Sequence, residues 1–393
     1  MTAAPAVLSL ALAIMVGWLA PAVMIRALVP VLESSALARP NYRGRTIVPS
    51  LGLVWLIWAL LLAATQAILD LLLALSNGTS ASTAVLERFW TTPLAIPFFV
   101  VPFMLVAGCV ALGLADDAFA GAGTGGGATS GAPQGFRGHL GALRRGTVTT
   151  GMLKMLGIGA LAFFYGVSAA EGVLARSTLP DAWSGSGGTF AGTALLATLV
   201  IALSANLLNL LDLRPGRALK AYAVLIPAPA VALALSATAA YNEQMAGFAA
   251  ETGAGALAPW EGAAAAVALV VVMVGPALAV WRLDLREHAM LGDAGSNTMG
   301  AIVGYLLTSV LSFWGLAASA AVLLALNLLS ERVSFSAIID RVPVLRWLDT
   351  LGRGGAEEPG PAQTSKDAAV PETRRPPVTP VRYHSDVGND GED

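Results

Sequence analysis

The chain has 393 residues, of which 56% are hydrophobic and only 12% charged, with a mean hydropathy of +0.69. Soluble domains carry about 25% charged residues, so the composition excludes an ordinary soluble enzyme and predicts a polytopic membrane protein. A net charge of −2, a pI near 6.0 and the lack of a basic stripe argue against a nucleic-acid partner, and a single cysteine, Cys109, excludes an internal disulfide.

Crossing about 30 Å of hydrocarbon takes roughly 20 apolar residues. Such runs occupy residues 6–28, 49–72, 94–115, 153–173, 190–211, 221–241 and 262–281, and the uncharged stretch 294–330 is long enough for two more, turning near 312–315. The expected fold is therefore all-α: a membrane bundle of about nine transmembrane helices, occupying residues 1–350. The start, MTAAPAV, has no basic region, so the first segment reads as an uncleaved span. Residues 351–393, rich in Pro and charged groups beyond about position 355, cannot bury enough apolar surface to offset the entropy of ordering and are expected to form a disordered cytoplasmic tail.

Basic residues set the expected orientation. With the N-terminus outside, the inner loops collect Arg39, Arg43, Arg45, Arg137, Arg144, Arg145, Lys154, Arg214, Arg217, Lys220, Arg282, Arg286, Arg332, Arg341, Arg346 and Arg353, whereas the outer loops keep Arg88 and Arg176. That asymmetry predicts an N-out, C-in topology.

In this topology the polar groups at the ends of the spans fall on one side. Asp116 and Asp117 in LGLADDAF close the third span, Asp212 closes the fifth and Asp293 in MLGDAGSN opens the eighth, all at the inner face. Asn206, Asn209 and Asp212 recur every three residues along NLLNLLD, within one broad face of a helix. An unpaired amide or carboxylate in hydrocarbon costs several kcal/mol, so this face needs partners in the bundle or a ligand outside it. Singly, each aspartate is an interfacial helix-end residue. Together, four carboxylates beside basic residues suit a divalent cation, Mg²⁺ with Mn²⁺ as a substitute, and a phosphate-bearing substrate.

LGLADDAF, NLLNLLD and MLGDAGSN, in this order, resemble the three signature motifs of the polyprenyl-phosphate N-acetylhexosamine-1-phosphate transferases, relatives of phospho-N-acetylmuramoyl-pentapeptide transferase. RPNYRGRTIVPSLG, residues 39–52, is similar to the family's first inner loop. The resemblance spans most of residues 1–350. It implies Mg²⁺-dependent transfer of a sugar-1-phosphate from a UDP-sugar to a polyprenyl phosphate at the cytoplasmic face of the cell membrane, releasing UMP, in cell-envelope glycan synthesis; it leaves room for a homodimer. Carried over by position, Asn209 and Asp293 match the Mg²⁺ contacts, and Asp116 and Asp117 match the pair that orients or deprotonates the lipid phosphate. Asp212 closes the second motif, Gly292 and Ser296 flank Asp293 on the substrate side, and Lys154 matches a phosphate-binding lysine, its plain alternative being a snorkelling lysine at a helix start. Asn206 is expected at the substrate as well.

Three departures bear on turnover. The second motif of the family continues as DGxDG, whereas here Leu213, Arg214, Pro215 and Gly216 follow Asp212. The late inner loop, 330–353, has no histidine where the family carries a cluster, and nine spans stand in place of ten or eleven. Pro215 predicts a turn away from the fifth span, which would bring Arg214 and Arg217 to face the cleft and hold a diphosphate by charge; Arg341 and Arg346 are candidates to replace the histidines. The alternative reading is a catalytically degenerate relative that binds the lipid carrier or a partner without turnover.

Overall fold

A computed structural model of the chain describes residues 3–34, 39–40, 46–48, 51–75, 81–122, 149–180, 185–252 and 256–353, with isolated positions at 141, 144, 146 and 183. The expected tail beyond residue 353 lies outside the described residues. The protein is an all-α membrane bundle, and among the described residues eight helices are long and apolar enough to cross a membrane.

In chain order, α1 (Ala4–Glu33) is a single long rod with a π-helical stretch at Ala13–Leu19. A two-residue antiparallel pair, β1 (Arg39–Pro40) with β2 (Thr46–Ile47), leads into α2 (Leu53–Leu75). Then come α3 (Ala81–Trp90), the one-turn α4 (Ile96–Phe99), α5 (Phe103–Ala122), α6 (Thr150–Ala175) and α7 (Gly187–Leu211). The short α8 (Arg217–Leu225) and α9 (Pro227–Thr252) form one crossing, followed by α10 (Pro259–Leu285), α11 (Gly292–Val310) and α12 (Phe313–Ser330). Two small helices, α13 (Phe335–Arg341) and α14 (Pro343–Thr350), end the described chain.

The expected span that is missing from these eight is the eighth in chain order, α11, and it differs from the others. It packs against α7, α5, α6, α9, α8 and α2. Being enclosed by protein, it is relieved of the need for a lipid-facing apolar surface and carries buried Ser296, Asn297, Thr298 and Thr308. Their side chains close on the helix's own carbonyls: Asn297 donates to Asp293 O at 2.7 Å and Thr298 to Ala294 O at 2.6 Å. Satisfied this way, a polar group costs little in a bundle interior.

Close backbone approach fixes where α11 begins. A Cβ on Gly113 of α5 would lie 2.3 Å from Ala294 Cα, and one on Gly52 would lie 2.2 Å from Gly295 N. Only glycine allows both chains so near. The stretch before α2 is tied to the same place: Met290 N donates to Val48 O at 2.7 Å, and Leu51 N and Gly52 N donate to Met290 O and Leu291 O at 3.0 Å. Residues Val48, Leu51 and Gly52 therefore dock directly against the segment that carries Asp293.

Candidate functional site

The carboxylates come from the ends of different helices. Asp116 and Asp117 lie near the end of α5, Asp212 caps the end of α7, and Asp293 is in the first turn of α11. Negative charge is unfavourable at a helix C-terminus, so Asp212 opposes the dipole of α7 where it stands, whereas Asp116 and Asp117 precede the last turn of α5. Asp293 instead sits at a favourable N-terminus, behind Gly292, whose φ of 70° makes the turn into α11.

Lys154 joins two of these ends. It lies in the second turn of α6, which Thr149 starts by accepting a hydrogen bond from Met152 N at 3.2 Å. Its ammonium lies 2.8 Å from Asp116 Oδ2 and also pairs with Asp293 Oδ2. The expected phosphate-binding lysine thus occupies the gap between two candidate site carboxylates. Beside it, Ser296 Oγ donates to Asn209 Oδ1 at 2.9 Å, so one predicted substrate residue orients one predicted metal ligand across the α7–α11 contact.

Asp212 is the electrostatic centre of the group. Burial pushes its carboxyl pKa well above the ordinary range, and the charges of Asp284, Asp293 and Asp117 push it further in the same direction. Removing a carboxylate's water and surrounding it with like charge makes a proton, or another cation, favourable there.

Asp284 carries no signature motif, yet it holds this part of the site together. Buried at the end of α10, it accepts from Gly216 N at 2.6 Å and from Leu291 N at 3.1 Å. One side chain therefore clasps the turn after Asp212 to the turn before Asp293. The chain reverses after α10 through Glu287, held at φ 55°, with Glu287 N donating to Asp284 O and His288 N to Leu283 O, each at 3.0 Å. This is a Schellman closure of the helix end. The signal available in the sequence was an aspartate in the last turn of a span, where the helix dipole disfavours it; the flanking Arg282 and Arg286 masked it as an ordinary inner loop.

Three expected substrate contacts have other partners. Asn206 donates to Asn327 Oδ1 of α12 at 2.6 Å, and Asn327 in turn donates to Leu203 O and Leu323 O. The face bearing Asn206, Asn209 and Asp212 is broad enough to be shared between two neighbours, with Asn206 turned to α12 and Asn209 to α11. The turn predicted at Pro215 is present, with Gly216 at φ 74° before α8, and there Arg214 and Arg217 both meet carboxylates. Arg214 makes a two-pronged pair with Asp340 of α13 at 2.9 Å for each contact. Arg217 is buried and pairs with Asp349 of α14 at 2.9 and 3.1 Å, while also donating to Ser336 at 2.8 Å. The carboxylates that claim them come from the late loop, whose contribution was expected to be cationic.

No protein-family model matches this chain, and no curated protein matches it. Among the described residues no group of three or more His, Cys, Asp and Glu side chains is arranged to hold a metal ion by itself. Mg²⁺ is commonly held by one or two carboxylates, with substrate phosphates and water completing the shell. Asp293 and the Asn209 carbonyl are the two residues expected to fill that smaller role, and Ser296 Oγ links their surroundings by donating to Asn209 Oδ1 and to Gly292 O.

Proposed function

We propose that the protein is a transferase that moves a sugar-1-phosphate, of the N-acetylhexosamine type, from a UDP-sugar to a polyprenyl phosphate. A phosphate oxygen of the lipid carrier forms a new P–O bond to the sugar-bearing phosphorus, and the P–O bond to UMP breaks. The observation that carries this reading is the pairing of Lys154 with both Asp116 and Asp293, beside Asp212, whose carboxyl is raised by burial and by the charges of Asp284, Asp293 and Asp117. Such a site gains most when it meets a cation together with phosphate groups.

In this mechanism the residues mainly position and compensate charge. Asn209 and Asp293 would hold Mg²⁺, which supplies neutralisation of the diphosphate. Lys154, which lies between Asp116 and Asp293, would turn to a phosphate oxygen of the substrate. Asp116 and Asp117 orient the acceptor phosphate and take its proton. Ser296 keeps Asn209 in register, and Asp284 keeps the 212–216 turn against 291–293.

The site end is assigned to the cytoplasmic face of the cell membrane on the strength of the basic-residue bias, N-out and C-in. Reporters fused after Asn77 and Gly253 should then read outside, and those after Gly127, Gly216 and Gly352 inside; an outside signal at Gly127 removes the aspartates from a cytosolic nucleotide.

A second reading, a relative that holds the lipid carrier without turnover, is favoured by one observation: Arg214 and Arg217 are both committed to Asp340 and Asp349. Purified protein incubated with polyprenyl phosphate, Mg²⁺ and a panel of UDP-sugars separates the two. UMP release that stops with chelator supports transfer. Lipid binding without UMP from any sugar supports the second reading.

A further inference from the structure

The helix α14 is built inside out. Its one buried residue is its carboxylate, Asp349, 5% exposed, whereas Val344, Trp347 and Leu348 are 65%, 60% and 44% exposed. At about 100° per residue these three lie within roughly 100° of one another, on a single apolar face directed away from the protein. Water does not select such an arrangement, and the polar side of the helix has already found its partners: Arg217 and Arg353 pair with Asp349, and Lys220 donates to Leu348 O at 2.9 Å and to Asp349 O at 2.7 Å.

Those partners also set the helix's depth. Arg217 and Lys220 open a membrane-crossing stretch, Arg217–Ala246, and α13 starts five residues after Ser330, the last residue of the crossing helix α12. Held between the ends of two spans, α14 lies at the level where the bundle enters the bilayer. At that level an exposed face of Val, Trp and Leu meets the boundary between headgroups and acyl chains. Beside it Asp340, Arg341, Pro343, Arg346, Trp347 and Thr350 line a cavity of about 320 Å³; Arg214 takes up the Asp340 carboxylate, which leaves the two arginines as the balance of charge in a recess next to the apolar face.

From this we infer that α14 is an interfacial helix whose apolar face is seated in the bilayer, with an anionic phospholipid headgroup in the Arg341–Arg346 recess. Charge complementarity selects the anionic lipid, since basic residues near a membrane surface are attracted to its negative headgroups. Through Asp349 the seated helix clamps Arg217, and the adjoining α13 holds Arg214 through Asp340, so that both grip the turn that follows Asp212. This role stands whether or not the protein is a transferase.

The test uses the full-length protein in lipid nanodiscs, with a nitroxide at Val344→Cys or at Thr350→Cys; Cys109 is buried and stays unlabelled. The ratio of collisions with oxygen to collisions with a water-soluble nickel complex should be several-fold higher at 344 than at 350. It should rise further at 344 when phosphatidylglycerol replaces half of the phosphatidylcholine, and that rise should vanish in Arg341→Gln/Arg346→Gln protein. Equal ratios at the two positions overturn the inference, as does dipolar broadening that reveals a second copy covering the helix. A ratio at 344 indifferent to lipid charge overturns the assignment of the recess to an anionic headgroup.

Discussion

Asp212 and Asp349 lie on the two sides of the same short segment, and their surroundings are opposite. Asp212 is desolvated and faces Asp284, Asp293 and Asp117, all of which raise its carboxyl. Burial also pushes Asp349 upward, but hydrogen bonding and charge from Arg217, with the charges of Arg353 and Arg214, more than reverse it and leave that carboxyl below the ordinary range. One aspartate is an acid short of cations and the other is saturated with them. The segment 212–217 between them divides a site that gains from an incoming cation from a clasp that has no further need of one.

The comparison breaks most visibly in activity. If the acidic side is the reacting side, Asp293→Asn should lower transfer by about a factor of 10³, the cost of losing one well-placed electrostatic group, while the protein still inserts. Asp349→Asn, on the other side of the segment, should keep transfer. Steady-state UMP release from both purified variants checks this, and equal losses would erase the distinction.

Stability should respond in the reverse sense. Asp349→Ala strands a buried Arg217, a loss of about 3 kcal/mol for a broken buried pair, to be read as a fall in the unfolding midpoint in detergent. Asp212→Asn removes a desolvated, repelled charge and should raise the midpoint at neutral pH.

The two aspartates also predict opposite pH profiles. Asp349 titrates lower in the folded protein than unfolded, so its contribution is present above the ordinary carboxylate range and is lost as pH falls through the lowered value. Asp212 titrates higher when folded, so its contribution is present below the ordinary carboxylate range and is lost as pH rises through the raised value. The stabilisation by Asp212→Asn should therefore grow as pH rises and vanish in acid, and that by Asp349 over Asp349→Asn should shrink in acid. Unfolding midpoints of the three proteins across pH 3–9 test both signs.

Smaller effects sharpen the boundary of the site. Asn327→Ala, which deprives Asn206 of its acceptor, should cost about 1 kcal/mol and leave transfer unaltered if Asn206 is a helix-to-helix contact alone. Deleting residues 356–393, which lie beyond every matched motif and lack an apolar anchor, should change neither insertion nor transfer; protein yield in the membrane fraction and UMP release measure both.

Much of this was legible from local pattern. Asp116, Asp117, Asn209 and Asp293 stand at the ends of long apolar runs, and a polar group at such a boundary is visible in the sequence because hydrocarbon tolerates so few. The turn at Pro215 was equally plain, since proline restricts the residue before it. The partners of Arg214 and Arg217 were not legible for a definite reason: the order of residues shows their charge but not what they meet, and Asp340 and Asp349 lie more than a hundred residues away.

The sequence by itself determined that the chain is an all-α membrane bundle, where eight of its helices run, and which short stretches put carboxylates at their ends, because hydropathy and helix-end chemistry act over one or two turns. Tertiary structure alone decided which charges meet. It set Lys154 between Asp116 and Asp293, gave Asp284 the two turns to hold, and let α11 be polar by enclosing it. Pairing energies depend on the approach of groups from distant helices and on the water that approach removes, and neither is written in the order of residues along one span.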